Sequence, residues 1–251
     1  MCELFGVSSA ENYAVNSYLK TFMSHSTEHP HGWGMAVFYG DAVSLEKEPQ
    51  TAFKSSYLQS RLAHPFMVKN MIAHIRLATK GKMSYENCHP FVKRTISNRC
   101  FTLAHNGTLF DMAGLEEFRF KAEGSTDSEL LLASIIYELD RAGGDLPAEE
   151  RFALVDRIVL EHTEGNKVNL LLYDGEMMFV HTNMAGTLHY SERGKTVLFS
   201  TVPLDDGEWK PVPMMRLQAW KEGQLIYEGT KHNNEYVMPD QAPDFSAWIG
   251  L

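Results

Sequence analysis

With 251 residues, 44% of them apolar, the chain is long enough to bury a substantial core as one large domain or two small ones. A formal charge of −9, from 23 Lys and Arg against 32 Asp and Glu, is spread without a basic stripe and argues against a nucleic-acid partner. The longest strongly apolar run, Leu130 to Tyr137, is far short of the ~20 residues of a membrane helix, and the start lacks the basic and apolar regions of a secretory signal, so the expected location is cytoplasmic with no membrane partner.

Taken in chain order, the first periodic segment is helical and spans 12–23. Residues 33–39, 69–77 and 99–105 read as strands, rich in β-branched and aromatic side chains and apolar enough to be buried on both faces. A strong helical pattern follows at 127–141, with Leu131, Ile135 and Leu139 on one face; a second helix runs from about Pro147, suited to a first helical position, to His162. Residues 168–173 and 176–182 form a hairpin around Asp174-Gly175, a dipeptide favoured where both turn residues have positive φ. More strands are expected at 195–201 and 224–229. The connection from Arg141 to Leu146 is too short for an interdomain linker, so residues 2–251 are expected to form a single domain of α+β class, with helices covering sheet faces.

The chemistry-bearing residues lie at the start and in short clusters downstream. The chain opens Met1-Cys2-Glu3-Leu4-Phe5-Gly6, so removal of Met1 would leave a residue carrying both a thiol and a free α-amine. An α-amine with an ordinary pKa of about 7.7–8.0 can accept a proton near neutrality, and a thiolate is an effective nucleophile. On position alone the plainer reading of Cys2 is a small residue opening a buried strand. The other clusters are Ala73-His74-Ile75-Arg76-Leu77-Ala78-Thr79-Lys80-Gly81, Asn87-Cys88-His89-Pro90-Phe91, Leu103-Ala104-His105-Asn106-Gly107-Thr108-Leu109 and Ser125-Thr126-Asp127-Ser128-Glu129. Cys88 and Cys100 read as structural, and three cysteines without C-x-x-C spacing suit a reducing compartment.

This ordered set resembles the class II glutamine amidotransferases, closest to their small stand-alone branch, which includes relatives acting on γ-glutamyl compounds. The later Phe199-Ser200-Thr201-Val202-Pro203-Leu204, with Trp209 and Val212-Pro213, is similar to that family's C-terminal strands. The resemblance implies an N-terminal nucleophile hydrolase fold: a four-layer αββα sandwich, two stacked antiparallel sheets between helical layers. It also implies roles. Cys2 is the nucleophile and forms a γ-glutamyl thioester. Asn106 and Gly107 donate to the oxyanion, although Asn-Gly after a strand reads from the dipeptide alone as a tight turn, a reading compatible with that role. Arg76 holds the substrate α-carboxylate, with a surface ion pair as the plainer reading, and Thr79 adds a hydroxyl contact. Asp127 binds the substrate ammonium, although Thr126-x-x-Glu129 also reads as a capping box with Asp127 in the first helical turn. By the two-residue strand period His74 shares a face with Arg76 and is read as site support, with a satisfied core histidine as the plainer alternative to a chemical role.

His31 stands before Gly32-Trp33-Gly34 where the family often has Asp, which leaves its role open. His25, His29 and His31 lack an acidic or cysteine partner nearby in sequence, so no metal is assigned, and no cofactor. Trp33 reads as core. The expected function is cleavage of the γ-carboxamide of glutamine, leaning toward ammonia-donating amidotransferase chemistry. A chain of this length would then need a separate ammonia-consuming synthase as partner. A γ-glutamyl peptide or amide hydrolase is the second reading, and a non-catalytic glutamyl-ligand sensor or interaction protein the third.

Overall fold

The computed structural model describes residues 1–78 and 81–239. Its strands are β1 (Glu3–Ala14), β2 (Trp33–Tyr39), β3 (Ala42–Glu48), β4 (Met67–Ile75), β5 (Phe91–Arg94), β6 (Cys100–His105), β7 (Leu170–Tyr173), β8 (Met178–His181), β9 (His189–Arg193), β10 (Thr196–Ser200), β11 (Lys210–Pro211), β12 (Gln218–Lys221) and β13 (Gln224–Glu228). Its α-helices are α1 (Asn16–Ser24), α2 (Ser56–Leu62), α3 (Asp127–Arg141) and α4 (Ala148–Glu161). One sheet has the order β11-β9-β10-β1-β4-β2-β3 and the other β13-β12-β8-β7-β6-β5. The strand pairs within both are antiparallel.

The two-residue side-chain period of the strands sorts the core into three slabs. Phe5, Met35, Met71 and Ala73 turn toward α1 and α2, where Leu19, Phe22 and Leu58 meet them. Their neighbours Leu4, Ala36 and Ile72 turn the other way and pack between the sheets against Ala104, Leu171, Val180 and Phe199. The opposite face of the second sheet, with Phe101, Leu103, Leu172 and Phe179, receives α3 and α4. The layers are therefore helix, sheet, sheet, helix, the αββα sandwich expected.

The sequence reading places β2 and α3 with their observed boundaries, and the strands at β4, β6, β7, β8, β10 and β13 within a few residues. The first helix begins later than the apolar period suggests. Residues as far as Ala14 belong to β1, because Tyr13 and Ala14 pair with Val68 and Met67 after a bulge. At the Asp174-Gly175 turn only Gly175 has positive φ; Asp174 instead caps the turn by accepting the N–H groups of Glu176 and Met177. Its other carboxylate oxygen takes the buried Arg151 guanidinium at 2.8 Å. Pro147 caps α4 rather than entering its first turn.

Candidate active site

Cys2 immediately precedes β1, the middle strand of its sheet. The Leu4 N–H donates to Thr201 Oγ1 at 2.9 Å and the Thr201 N–H returns to the Leu4 carbonyl, so the segment after β10 clamps the chain start in place. On the other side Leu4 pairs with His74 of β4. Where β4 ends, the Cys2 thiol lies 3.3 Å from both the N–H and the carbonyl of Leu77. Burial pushes the thiol pKa up; the Leu77 N–H and the cations of Arg76 and Lys167 oppose it.

Arg76 is fixed at its backbone, donating its N–H to the Gly32 carbonyl and accepting the His31 N–H. The His31 ring accepts the Ala78 N–H at 2.8 Å. His31 thus splints the loop that carries Arg76. The Arg76 guanidinium is buried rather than on the surface, and donates to the carbonyls of Gly81 and Lys82 at 3.0 and 3.1 Å. Thr79, the expected hydroxyl contact in this loop, lies outside the described residues.

Asn106 and Gly107 follow β6, and neither has positive φ, so the tight-turn reading of the dipeptide fails. Glycine is needed here for another reason: a Cβ at 107 would run into the Lys167 carbonyl and the His105 ring. The Asn106 amide is divided in its contacts. Its Oδ1 accepts from Lys167 Nζ at 3.2 Å, while its Nδ2 is buried with no hydrogen-bond partner among the described residues. Lys167 itself is 4% exposed, has no carboxylate within 4.0 Å among the described residues, and burial lowers its pKa to about 8. The sequence reading missed this residue. Its only signal is a lone cation opening the apolar stretch Val168-Asn169-Leu170-Leu171-Leu172.

Asp127 begins α3 and is buried, with Oδ2 on the Leu109 N–H at 2.7 Å and Oδ1 on the Ser128 N–H at 2.9 Å. Half of the expected capping box forms, Thr126 Oγ1 accepting the Glu129 N–H. The Glu129 carboxylate goes instead to the N–H groups of Glu123 and Gly124 and to Lys93. His105 bridges Ser128 Oγ and the Lys167 carbonyl at 2.9 and 3.1 Å. A carbonyl only accepts, so Nε2 of His105 carries the proton and Nδ1 faces the hydroxyl. His74 stacks on His89 with ring centroids 4.2 Å apart, and burial drives both well below the usual histidine pKa. His89 faces the site; His74 stands behind it.

These residues enclose two cavities that share Cys2, Leu77 and Gly107. The inner one, about 20 Å³, is polar and takes in Arg76, His105, Thr126, Asp127 and Ser128. The outer one, about 220 Å³, takes in Asn106, Lys167, Phe110, Tyr236 and Met238. Away from both, the acidic partner that His25 and His29 lack in sequence is supplied by Glu3, whose carboxylate lies 2.8 Å from His25 Nδ1 and 3.9 Å from His29 Nε2.

Residues 1–196 match the family of class II glutamine amidotransferases. Among similar proteins, the uncharacterised MJ1515 of Methanocaldococcus jannaschii is 28% identical over 92% of this chain and 72% of its own. YafJ of Escherichia coli K12 is 31% identical over 73% and 74%. In fold, the crystal structure of a predicted glutamine amidotransferase from Pseudomonas aeruginosa superposes with a TM-score of 0.66 at 22% identity, covering 90% of this chain and all of that one. The glutamine phosphoribosylpyrophosphate amidotransferase of Bacillus subtilis, solved with ADP and GMP, gives 0.69 at 19% identity, covering 90% of this chain and 48% of its own. Sequence and architecture agree: the chain belongs to the class II glutamine amidotransferases and has their N-terminal nucleophile hydrolase fold.

Proposed function

We propose that the chain, once Met1 is removed, cleaves γ-glutamyl amides through Cys2, glutamine being the simplest. The observation that carries this reading is the Asn106 Nδ2 group, a buried donor without a partner among the described residues, in a cavity shared with Cys2. A donor left unsatisfied is costly in a folded protein, and an oxyanion arriving during reaction satisfies it.

In the mechanism the Cys2 α-amine takes the thiol proton and the thiolate attacks the γ-carbonyl carbon. The tetrahedral oxyanion is met by Asn106 Nδ2 and the Gly107 N–H. Its collapse breaks the C–N bond, the amine leaves with the proton held by the α-ammonium, and water then hydrolyses the thioester to glutamate and free Cys2. In the unprocessed chain, burial and the Lys167 cation both lower the pKa of the Met1 terminal amine. Arg76 and Asp127 bind the zwitterionic end of the substrate. The inner cavity has room for one water-sized group, so the glutamyl end enters by exchanging the contacts that Arg76 and Asp127 now make with backbone.

Protein with its mature N-terminus verified by intact mass should release glutamate from glutamine, and Cys2→Ala should abolish this while leaving the folded state intact. Full activity with Met1 retained would eliminate the α-amine as base.

A further inference from the structure

The cleavage reaction above leaves open what departs with the amide nitrogen, and the outer cavity bears on it. With the glutamyl end at Arg76 and Asp127 and the carbonyl oxygen at Asn106 and Gly107, a substituent on the nitrogen passes into the space beyond Cys2. Ammonia is about the size of a water molecule, whose share of liquid volume is about 30 Å³. The space is about 220 Å³ with Met1 still in place, and its lining includes the side chains of Phe110, Tyr236 and Met238.

Those walls are built by a dedicated segment. Beyond β13 the chain runs from Gly229 to Pro239 over the site, past the end of the region matched to the family. It is pinned where the Gly229, His232 and Tyr236 N–H groups donate to the carbonyls of Leu217, Met215 and Asn183. Asn183 Nδ2 in turn donates to the Asn234 carbonyl at 3.0 Å, and Asn234 Nδ2 to Thr163 Oγ1 at 2.8 Å. The result is a Tyr236 ring stacked on Phe110 at 5.9 Å, 11° from parallel. Among the described residues, Lys167 is the one lysine or arginine on this wall, and its Nζ is engaged by Asn106 Oδ1. It disfavours a second ammonium nearby and so argues against a polyamine substituent.

We propose that the outer cavity is a leaving-group pocket for an apolar or aromatic amine, so that the preferred substrates are γ-glutamyl amides of such amines rather than glutamine. This rests on the cleavage reading above. Apolar walls add affinity only where an apolar body is removed from water, which ammonia does not offer.

The test uses Met1-processed protein and measures kcat/KM for glutamate release from glutamine, γ-glutamylglycine and the γ-glutamyl amides of methylamine, butylamine and phenethylamine. The expected order rises with apolar size, the phenethylamide exceeding glutamine by about tenfold or more, on the scale of one or two methylenes in a fitted pocket. Tyr236→Ser and Met238→Ser should each cut that ratio. Equal or better turnover of glutamine, faster turnover of the carboxylate-bearing γ-glutamylglycine, or a ratio unmoved by Tyr236→Ser overturns the proposal. Binding to Cys2→Ala, measured calorimetrically, separates the two levels of inference. If nothing is cleaved yet the phenethylamide binds that variant more tightly than glutamine, the pocket assignment stands and the cleavage reading fails. Equal binding rejects the pocket, with the ammonia passage of a partnered amidotransferase as the replacement.

Discussion

Lys167 holds its Nζ against Asn106 Oδ1 in a buried site with no carboxylate partner among the described residues, an arrangement that the fold alone does not require. Depression of its pKa from 10.5 to about 8 corresponds to about 3 kcal/mol against keeping it charged at neutral pH. The sign follows from proton counts: between about pH 8 and 10.5 the unfolded chain binds the proton and the folded one does not, so this destabilising contribution fades as pH rises through that window. Lys167→Met should therefore raise the melting temperature at pH 7 and lower kcat more than it changes KM, because the Asn106 amide loses the partner that turns its NH2 end toward the substrate. Unchanged kcat would separate Lys167 from the chemistry. Asn106→Ala should cost about 10²–10³ in kcat, and an effect confined to KM would reassign Asn106 to ground-state binding.

At the scale of elements, the site stands where strands end: Cys2 before β1, Arg76 after β4, Asn106 after β6 and Asp127 opening α3. Those four were legible in the sequence because each lies in a short motif beside a strongly patterned element. Lys167, the His31 splint and the Tyr236 wall were not, since their partners lie 61, 47 and 126 residues away. No local period encodes such contacts. The tight-turn alternative at Asn106-Gly107 fails for a related reason: the glycine answers to the Lys167 carbonyl and the His105 ring, a close approach that only the fold creates. The elements holding the site should be sensitive to cavities. Leu131, fully buried on α3, packs in the slab against the second sheet, and Leu131→Ala should lower unfolding free energy by about 2–5 kcal/mol in a denaturant titration. A loss below 1 kcal/mol would mean that α3 is not anchored there.

For the whole molecule, the three core slabs join the two sheets so that segments remote in sequence converge on one end of the sandwich. The same burial traps histidines. His74, His89 and His105 have lowered pKa values, and His181, stacked on His232 with their Nε2 atoms 3.1 Å apart, is lowered to about 3. Below the unfolded value of about 6.5 the unfolded chain takes up protons that these folded rings refuse, so stability present above that pH is lost as it falls. The melting temperature should drop steadily from pH 7 to pH 4.5, and a flat profile would show that these rings charge in place.

The central claim is that Cys2, freed at the N-terminus, is the residue acylated by the substrate. Its most direct test is peptide mapping by mass spectrometry of processed protein quenched in acid during turnover of a γ-glutamyl amide. The account predicts one γ-glutamyl group in thioester linkage on an N-terminal peptide beginning at Cys2, absent from Asn106→Ala at matched early times. An acyl group on Cys88 or Cys100, or on a peptide that still carries Met1, would contradict it.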